Sequence, residues 1–330
     1  MSSLATMYSF ARKFGLRYFV TEEQYEQLTY YFEPESLSLS VLERDLPHYY
    51  VTLLGYKLSR LAWVTPWDRI DNIDNNFNYD KISDTGLHTG QAINIGDFPN
   101  EVQHFAQYLP DIRGKFRLRE RFRSRAARRL EVELSHRSVG WAEVTWVGVH
   151  NRRGDYRHHL AALYGLDLLE PGYFKRAMQR FNSEYSNVIF IVVTDDMDWA
   201  ESNLMFPGLQ VVFAGHRKVL EKDVKHPLAT ADDIGDDLAL LAACNHTILS
   251  YGTFGQWGAL LAGGKVVISN TAANTKEGRE LKEAGLAKHS SGWSWMAASL
   301  NSAVSRREGG SSGLLSLLLS CSASYFVWKL

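Results

Sequence analysis

Val144-Thr-Trp-Val-Gly-Val-His-Asn-Arg-Arg-Gly-Asp155 decides how this chain is read. Its first six residues form an unbroken apolar run, the pattern of a strand buried on both faces, and they stop abruptly at polar and charged residues. The same texture recurs downstream. Val188–Val193 and Leu209–Phe213 read as further buried strands, Thr247–Ser250 as a short one and Lys265–Ser269 as another. Between them Tyr173–Ser183, Asp237–Cys244 and Phe254–Ala262 read as helices. Strands alternating with helices at this spacing predict βαβ units, an α/β fold and a doubly wound parallel sheet. Ligands of such sheets bind at the carboxyl ends of the strands, so the loops after Val149, Val193 and Ser250 are where chemistry is sought.

Composition limits the alternatives. In 330 residues, 36 Lys+Arg face 37 Asp+Glu, a formal charge of −1, which excludes a polybasic tail or an acidic solvating chain as the dominant feature. With 45% hydrophobic residues a large core is available. Cys244 and Cys321 are the only cysteines, too few for a disulfide scaffold or a Cys-ligated zinc site.

Upstream, Leu4, Met7, Tyr8 and Ala11 recur at helical spacing, and Leu16–Val20 reads as a strand. Residues 22–135 read as mostly helical around an irregular Asp-, Asn- and Gly-rich stretch at 67–100. Arg113–Arg129 holds nine basic residues in seventeen, which reads as a solvated helix rather than an RNA-binding module. Gly309–Gly313 is a linker by composition. The uncharged stretch Leu314–Trp328 falls short of a membrane span and reads as an extension, with a tail anchor as the alternative.

Three loops carry candidate chemistry. In His150-Asn-Arg-Arg-Gly-Asp155, Arg152 and Arg153 leave a buried strand, where guanidinium forks need an anion or a carboxylate. Asp155 is placed to orient one fork, or to staple the strand end. Thr194-Asp-Asp-Met-Asp198 reads either as a divalent-metal cluster or as a helix start capped by Thr194 or Asp195. Ser250, Gly252 and Thr253 form a small-residue loop entering a helix N-terminus, a setting that favours phosphate. Asp237 is suited to accept hydrogen bonds from a guanine edge, or else it caps a helix together with Asp236.

Taken together, Val147–Tyr156, Val193–Trp199 and Asp237–Ala259 resemble the galactoside α-1,2-L-fucosyltransferases, glycosyltransferase family 11, in order and spacing; the block Ser250-Tyr-Gly-Thr-Phe-Gly-Gln-Trp-Gly258 is the most specific. The likeness covers roughly residues 1–300. It implies a GT-B-like α/β architecture of two Rossmann-like lobes: an acceptor-side lobe at 1–138 and a GDP-fucose-binding lobe at 139–304, with 305–330 a linker and apolar tail. The implied reaction is inverting, metal-independent transfer of L-fucose from GDP-β-L-fucose to the 2-hydroxyl of a terminal galactose on a glycan, with no cofactor and no nucleic-acid partner. Arg152, Arg153 and Asp155 are the implied catalytic residues. His150, Arg152, Asp196, Asp237, Ser250, Gly252, Thr253 and Phe254 are the implied donor-binding residues. The general base is open, with Asp155, Glu170 and Asp97 as candidates. The family also implies a place on the lumenal side of the Golgi membrane, through an anchor and a first strand that this chain lacks. Gly96-Asp-Phe-Pro-Asn100 departs from the family's aromatic-rich stretch near the acceptor. The competing readings are another GDP-fucose transfer (α-1,6 or protein O-linked), a non-catalytic nucleotide-sugar binder, and an RNA binder built on the arginine-rich helix.

Overall fold

The computed structural model describes residues 1–15, 17–45, 92–95, 102, 105–214, 231–275, 292–298 and 325–328. The chain divides into two compact units: Met1–Tyr30 with Pro34–Tyr108 and Asn301–Leu330, and Tyr31–Glu33 with Leu109–Leu300. Asp97, the departing stretch at 96–100 and the linker at 309–313 lie outside the described residues.

In the first unit the helix Ser2–Phe14 buries Leu4, Ala5, Met7, Phe10 and Ala11, and Gly15 ends it at φ +63°, a left-handed cap that suits glycine. Strand β1 (Arg17–Val20) follows, as the sequence predicts, and pairs in parallel with β2 (Ser40–Val41). The sheet is completed by β3 (Ala92–Ile95) and by β10 (Tyr325–Trp328), which lies antiparallel between β1 and β3. This corrects the reading of the tail as a separate extension, because its last strand occupies an interior position of the sheet. Among the described residues no helix is long and apolar enough to cross a membrane.

The second unit contains a six-stranded parallel sheet in the order β6-β5-β4-β7-β8-β9. Its strands are β4 (Thr145–Asn151), β5 (Val188–Thr194), β6 (Gln210–Phe213), β7 (His246–Leu249), β8 (Val266–Ser269) and β9 (Trp293–Met296). The α/β class and the parallel sheet match the expectation from the sequence. Every residue of β5 is buried, as a continuous apolar run requires when both faces are covered. One covering helix, Pro171–Glu184, starts on a proline whose missing N–H costs nothing at that position. It buries Tyr173, Phe174, Ala177, Met178 and Phe181, the i, i+3/i+4 stripe of a core-facing helix. The Tyr173 hydroxyl reaches the carbonyls of Leu249 (2.7 Å) and Val267 (3.2 Å) and so ties this helix to β7 and β8.

The junction between units falls near residue 109, not at 138/139. The arginine-rich segment is two helices, Leu109–Lys115 and Glu120–Ser135, and both belong with the parallel sheet. Glu120–Ser135 packs on the helix Ala231–Ala243 at Gly235, where a Cβ would stand 2.3 Å from the Phe122 ring. Its charges meet the acidic start of that same helix: Arg125 Nε lies 2.7 Å from Asp236, and Arg121 and Arg125 approach Asp232 at 3.9 and 3.6 Å. Asp236 and Asp237 therefore do not cap a helix. They lie mid-helix, because the helix begins at Ala231, six residues before the start read from its apolar pattern.

Candidate functional site

The sheet order places the topological switch point between β4 and β7. Successive connections turn to opposite sides there, leaving a crevice beyond the carboxyl ends of the two strands. The Arg152–Asp155 loop leaves β4 into this crevice, just past strand residue His150, and Ser250–Thr253 leaves β7 beside it. Ser250 joins them: its amide donates to the His150 carbonyl at 3.0 Å, and its Oγ accepts from the Arg152 amide at 2.8 Å. Ser250 is itself buried. It holds the two loops in register, and no contact of its own with a ligand is needed for that.

The adjacent arginines have opposite fates. Arg152 remains 37% exposed; its Nη2 lies 2.7 Å from Asp155 and its Nη1 3.0 Å from Asp195. The Asp195 contact is an ion pair without the alignment of a hydrogen bond, since Asp195 Oδ2 accepts none. Arg153 is 6% exposed. Its guanidinium carbon lies 3.4 Å from the centroid of the Trp199 ring, Nη1 donates to the Leu169 carbonyl at 3.2 Å, and Nε sits 3.6 Å from Asp196. Burial lowers the Arg153 pKa from its usual value and Asp196 opposes that shift. Only Arg152 is therefore presented at the crevice, while Arg153 is held inside as a support. Of the two arginines expected to meet the donor, Arg152 is the exposed one and Arg153 the buried one.

The second loop supplies these anchors. Asp196, not Thr194 or Asp195, is the helix cap: its Oδ1 accepts from the Trp199 amide at 3.2 Å, and its own amide donates to Thr194 Oγ1 at 3.1 Å. Asp195 is 9% exposed and accepts from the Arg153 amide at 2.8 Å. Gly154 leaves room for it, since a Cβ there would meet Asp195 Oδ2 at 2.7 Å. The run of carboxylates that suggested a metal is thus divided between two arginines and a helix start. Asp196, 38% exposed, stands 3.6 Å from Arg153 Nε and so neighbours the buried arginine while it caps the helix.

His150 is 4% exposed and tilts against Phe254, ring centroids 5.8 Å apart. The approach needs Gly255, whose Cβ would fall 2.3 Å from His150 Nδ1. Nδ1 has no hydrogen-bond partner, and burial lowers the pKa to about 4. A histidine buried neutral binds a proton more weakly when folded than when unfolded. Its contribution to stability is complete above about pH 6.5 and is lost as pH falls toward 4. We predict that the denaturant midpoint of the chain drops across this window, and that His150→Gln removes a large part of the drop. Equal slopes in the two proteins would show that His150 does not titrate this way.

Gly252 adopts φ +88°, ψ 157°, a conformation essentially reserved to glycine, and a Cβ would stand 2.8 Å from the Tyr156 hydroxyl oxygen. Thr253 opens the helix Thr253–Ala262 and is half-buried, as is Phe254. Asp237 is half-buried in the helix Ala231–Ala243, which begins on the carboxyl side of the sheet. Of the candidate bases, Asp155 is exposed and paired with Arg152, and Glu170 is exposed at the start of Pro171–Glu184. Three contributors were missed by the sequence reading: Trp199, Tyr156 and Tyr251. Tyr156 stacks on Tyr251 (centroids 6.4 Å) and lies beneath Arg152 at 5.7 Å. Both tyrosines stand inside the recognised blocks; the signal was an aromatic one to three residues from each charged or glycine loop.

A family model, glycosyl transferase family 11, matches residues 61–296, well over half of the chain. The chain belongs to this family. Among curated relatives, the family 11 chain is 30% identical over 271 residues to mouse galactoside α-(1,2)-fucosyltransferase 2, covering 81% of this chain and 66% of that protein. It is 28% identical over 271 residues to mouse galactoside 2-α-L-fucosyltransferase Sec1, covering 81% and 62%. The family 11 chain thus spans a little under two thirds of the length of these relatives. Among solved structures it is similar to NodZ α-1,6-fucosyltransferase soaked with GDP-fucose, at 15% identity and a TM-score of 0.39 over 83% of this chain and 91% of that one.

Proposed function

We propose that this family 11 chain transfers L-fucose from GDP-β-L-fucose to the 2-hydroxyl of a terminal galactose, inverting the anomeric centre, without a metal, on the lumenal side of the Golgi membrane. The observation that carries this reading is the presentation of Arg152 at the sheet's switch point, opposite a glycine-capped helix N-terminus. An oxygen nucleophile forms the new bond to the fucose anomeric carbon as the bond to the β-phosphate oxygen breaks, and negative charge grows on departing GDP. Arg152 supplies a planar pair of donors to that charge. The first amides of Thr253–Ala262 add the positive end of the helix dipole. Ser250, Asp195 and buried Arg153 hold the loop so that little reorganisation is needed. Asp237 is assigned to the nucleoside part of the donor, and His150, 4% exposed with its Nδ1 against Gly255, supports that side from within.

The general base stays unassigned. Arg152 and the first amides of Thr253–Ala262 are the donors this reading gives the diphosphate, and it invokes no cation. We expect turnover to persist in excess EDTA; abolition that Mn²⁺ restores would return the metal reading of Asp195–Asp198. The primary test incubates the full chain with GDP-fucose and lactose and identifies the product linkage by NMR. An α-linked fucose on galactose O2 is expected. Transfer to another hydroxyl would retain the donor site and discard the acceptor, and absence of both GDP binding and transfer would discard the reading.

A further inference from the structure

We propose that Asp155 is a built-in competitor of the donor diphosphate for Arg152, so that the donor binds by displacing a carboxylate of the protein's own. The inference rests on the donor reading above. The two carboxylates on Arg152 differ in kind. Asp195 is 9% exposed, is fixed by the Arg153 amide at 2.8 Å, and is closely fitted against Gly154. Asp155 is 71% exposed and is joined to Arg152 Nη2 at 2.7 Å. One is part of the scaffold, and the other is open to water and displaceable.

Asp155 also stands at the N-cap of the helix Tyr156–Tyr164, where an aspartate ordinarily accepts a hydrogen bond from a first-turn amide. Its side chain makes no such bond. It turns to Arg152 instead; its backbone is already helical (φ −65°, ψ −20°) and the Arg157 amide is taken by the Arg153 carbonyl at 3.1 Å, so solvent is where this exposed carboxylate goes when it leaves the guanidinium. With both carboxylates in place the Arg152, Asp155 and Asp195 group carries a charge of −1 and repels a diphosphate. With Asp155 turned out into water, the Nη2 edge is released to the ligand. The affinity of the site for GDP is thereby set below what Arg152 alone would give, and release of GDP after transfer is assisted by the returning carboxylate.

Calorimetric titration of the full chain with GDP tests this. Asp155→Asn keeps shape and removes the charge. It is expected to tighten GDP binding about three- to tenfold at low ionic strength, the scale of one exposed charge pair. The gain should shrink in about 0.5 M NaCl, where such charges are screened. Asp155→Ser, which also lacks the charge, should tighten binding too and serves if the Asn variant does not fold. In an Arg152→Gln background the gain should vanish, since the competitor then has nothing to occupy. Unchanged or weaker GDP binding in a folded Asp155 variant would overturn the proposal, as would an equal gain in the Arg152→Gln background. Arg152→Gln alone separates the two readings: if it binds GDP as the parent does, the donor site itself is wrong; if it binds more weakly while Asp155→Asn gains nothing, only the competitor is wrong.

Discussion

Arg152→Lys is expected to lower kcat by about 10²–10³-fold while leaving the thermal midpoint within about a degree of the parent. A lysine keeps the charge but not the fork. One ammonium cannot face Asp195 on one side and a phosphate on the other with two fixed, coplanar donors. The side chain is 37% exposed and lysine keeps a cation beside Asp195, which is 9% exposed, so this substitution costs the fold little. Steady-state turnover on lactose and a melting curve on the same preparation check both halves. Undiminished turnover would remove the central element of the mechanism.

The neighbouring substitution, Arg153→Lys, is expected to act through the fold. The side chain is 7% exposed, stacked on Trp199 and hydrogen-bonded to the Leu169 carbonyl. Lysine forfeits the planar stack and cannot reach the carbonyl and Asp196 together. A charged hydrogen bond and a desolvated cation–π contact together amount to about 2–4 kcal/mol. In a unit of this size that lowers the midpoint by roughly 5–15 °C. Activity measured well below the melting range should recover much of its parental value, a pattern that Arg152→Lys must not show. A fall in kcat with an unchanged midpoint would place Arg153 among the residues that meet the donor.

The contrast between two identical adjacent residues indicates how far the sequence could be read. Apolar runs such as Val188–Val193 and helical stripes such as Tyr173, Phe174, Ala177, Met178 and Phe181 are local patterns, and burial forces them to match the strand and helix periods. The positions of the charged loops were legible for the same reason: charges and glycines at the exits of buried strands interrupt an otherwise apolar texture. The arginine-rich segment was not legible. Its partners Asp232 and Asp236 lie more than a hundred residues away, and its second helix is anchored where Gly235 admits Phe122, a fit with no local signature. The end of the tail was misread for a similar cause. Tyr325–Trp328 has strand composition, but its place between β1 and β3 is a pairing decision made across the chain.

By itself the sequence determined the alternation of strands and helices, the loops that carry charge, and the family to which the chain belongs, because these depend on residue types at fixed local spacing. Tertiary structure decided the strand order that sets β4 beside β7, and with it which arginine faces the crevice. That choice depends on Ser250, 98 residues beyond Arg152, and on Asp195 and Trp199 from the next strand over. Which way a guanidinium points is fixed by the carboxylates, carbonyl and ring that reach it, and those arrive only when the sheet assembles.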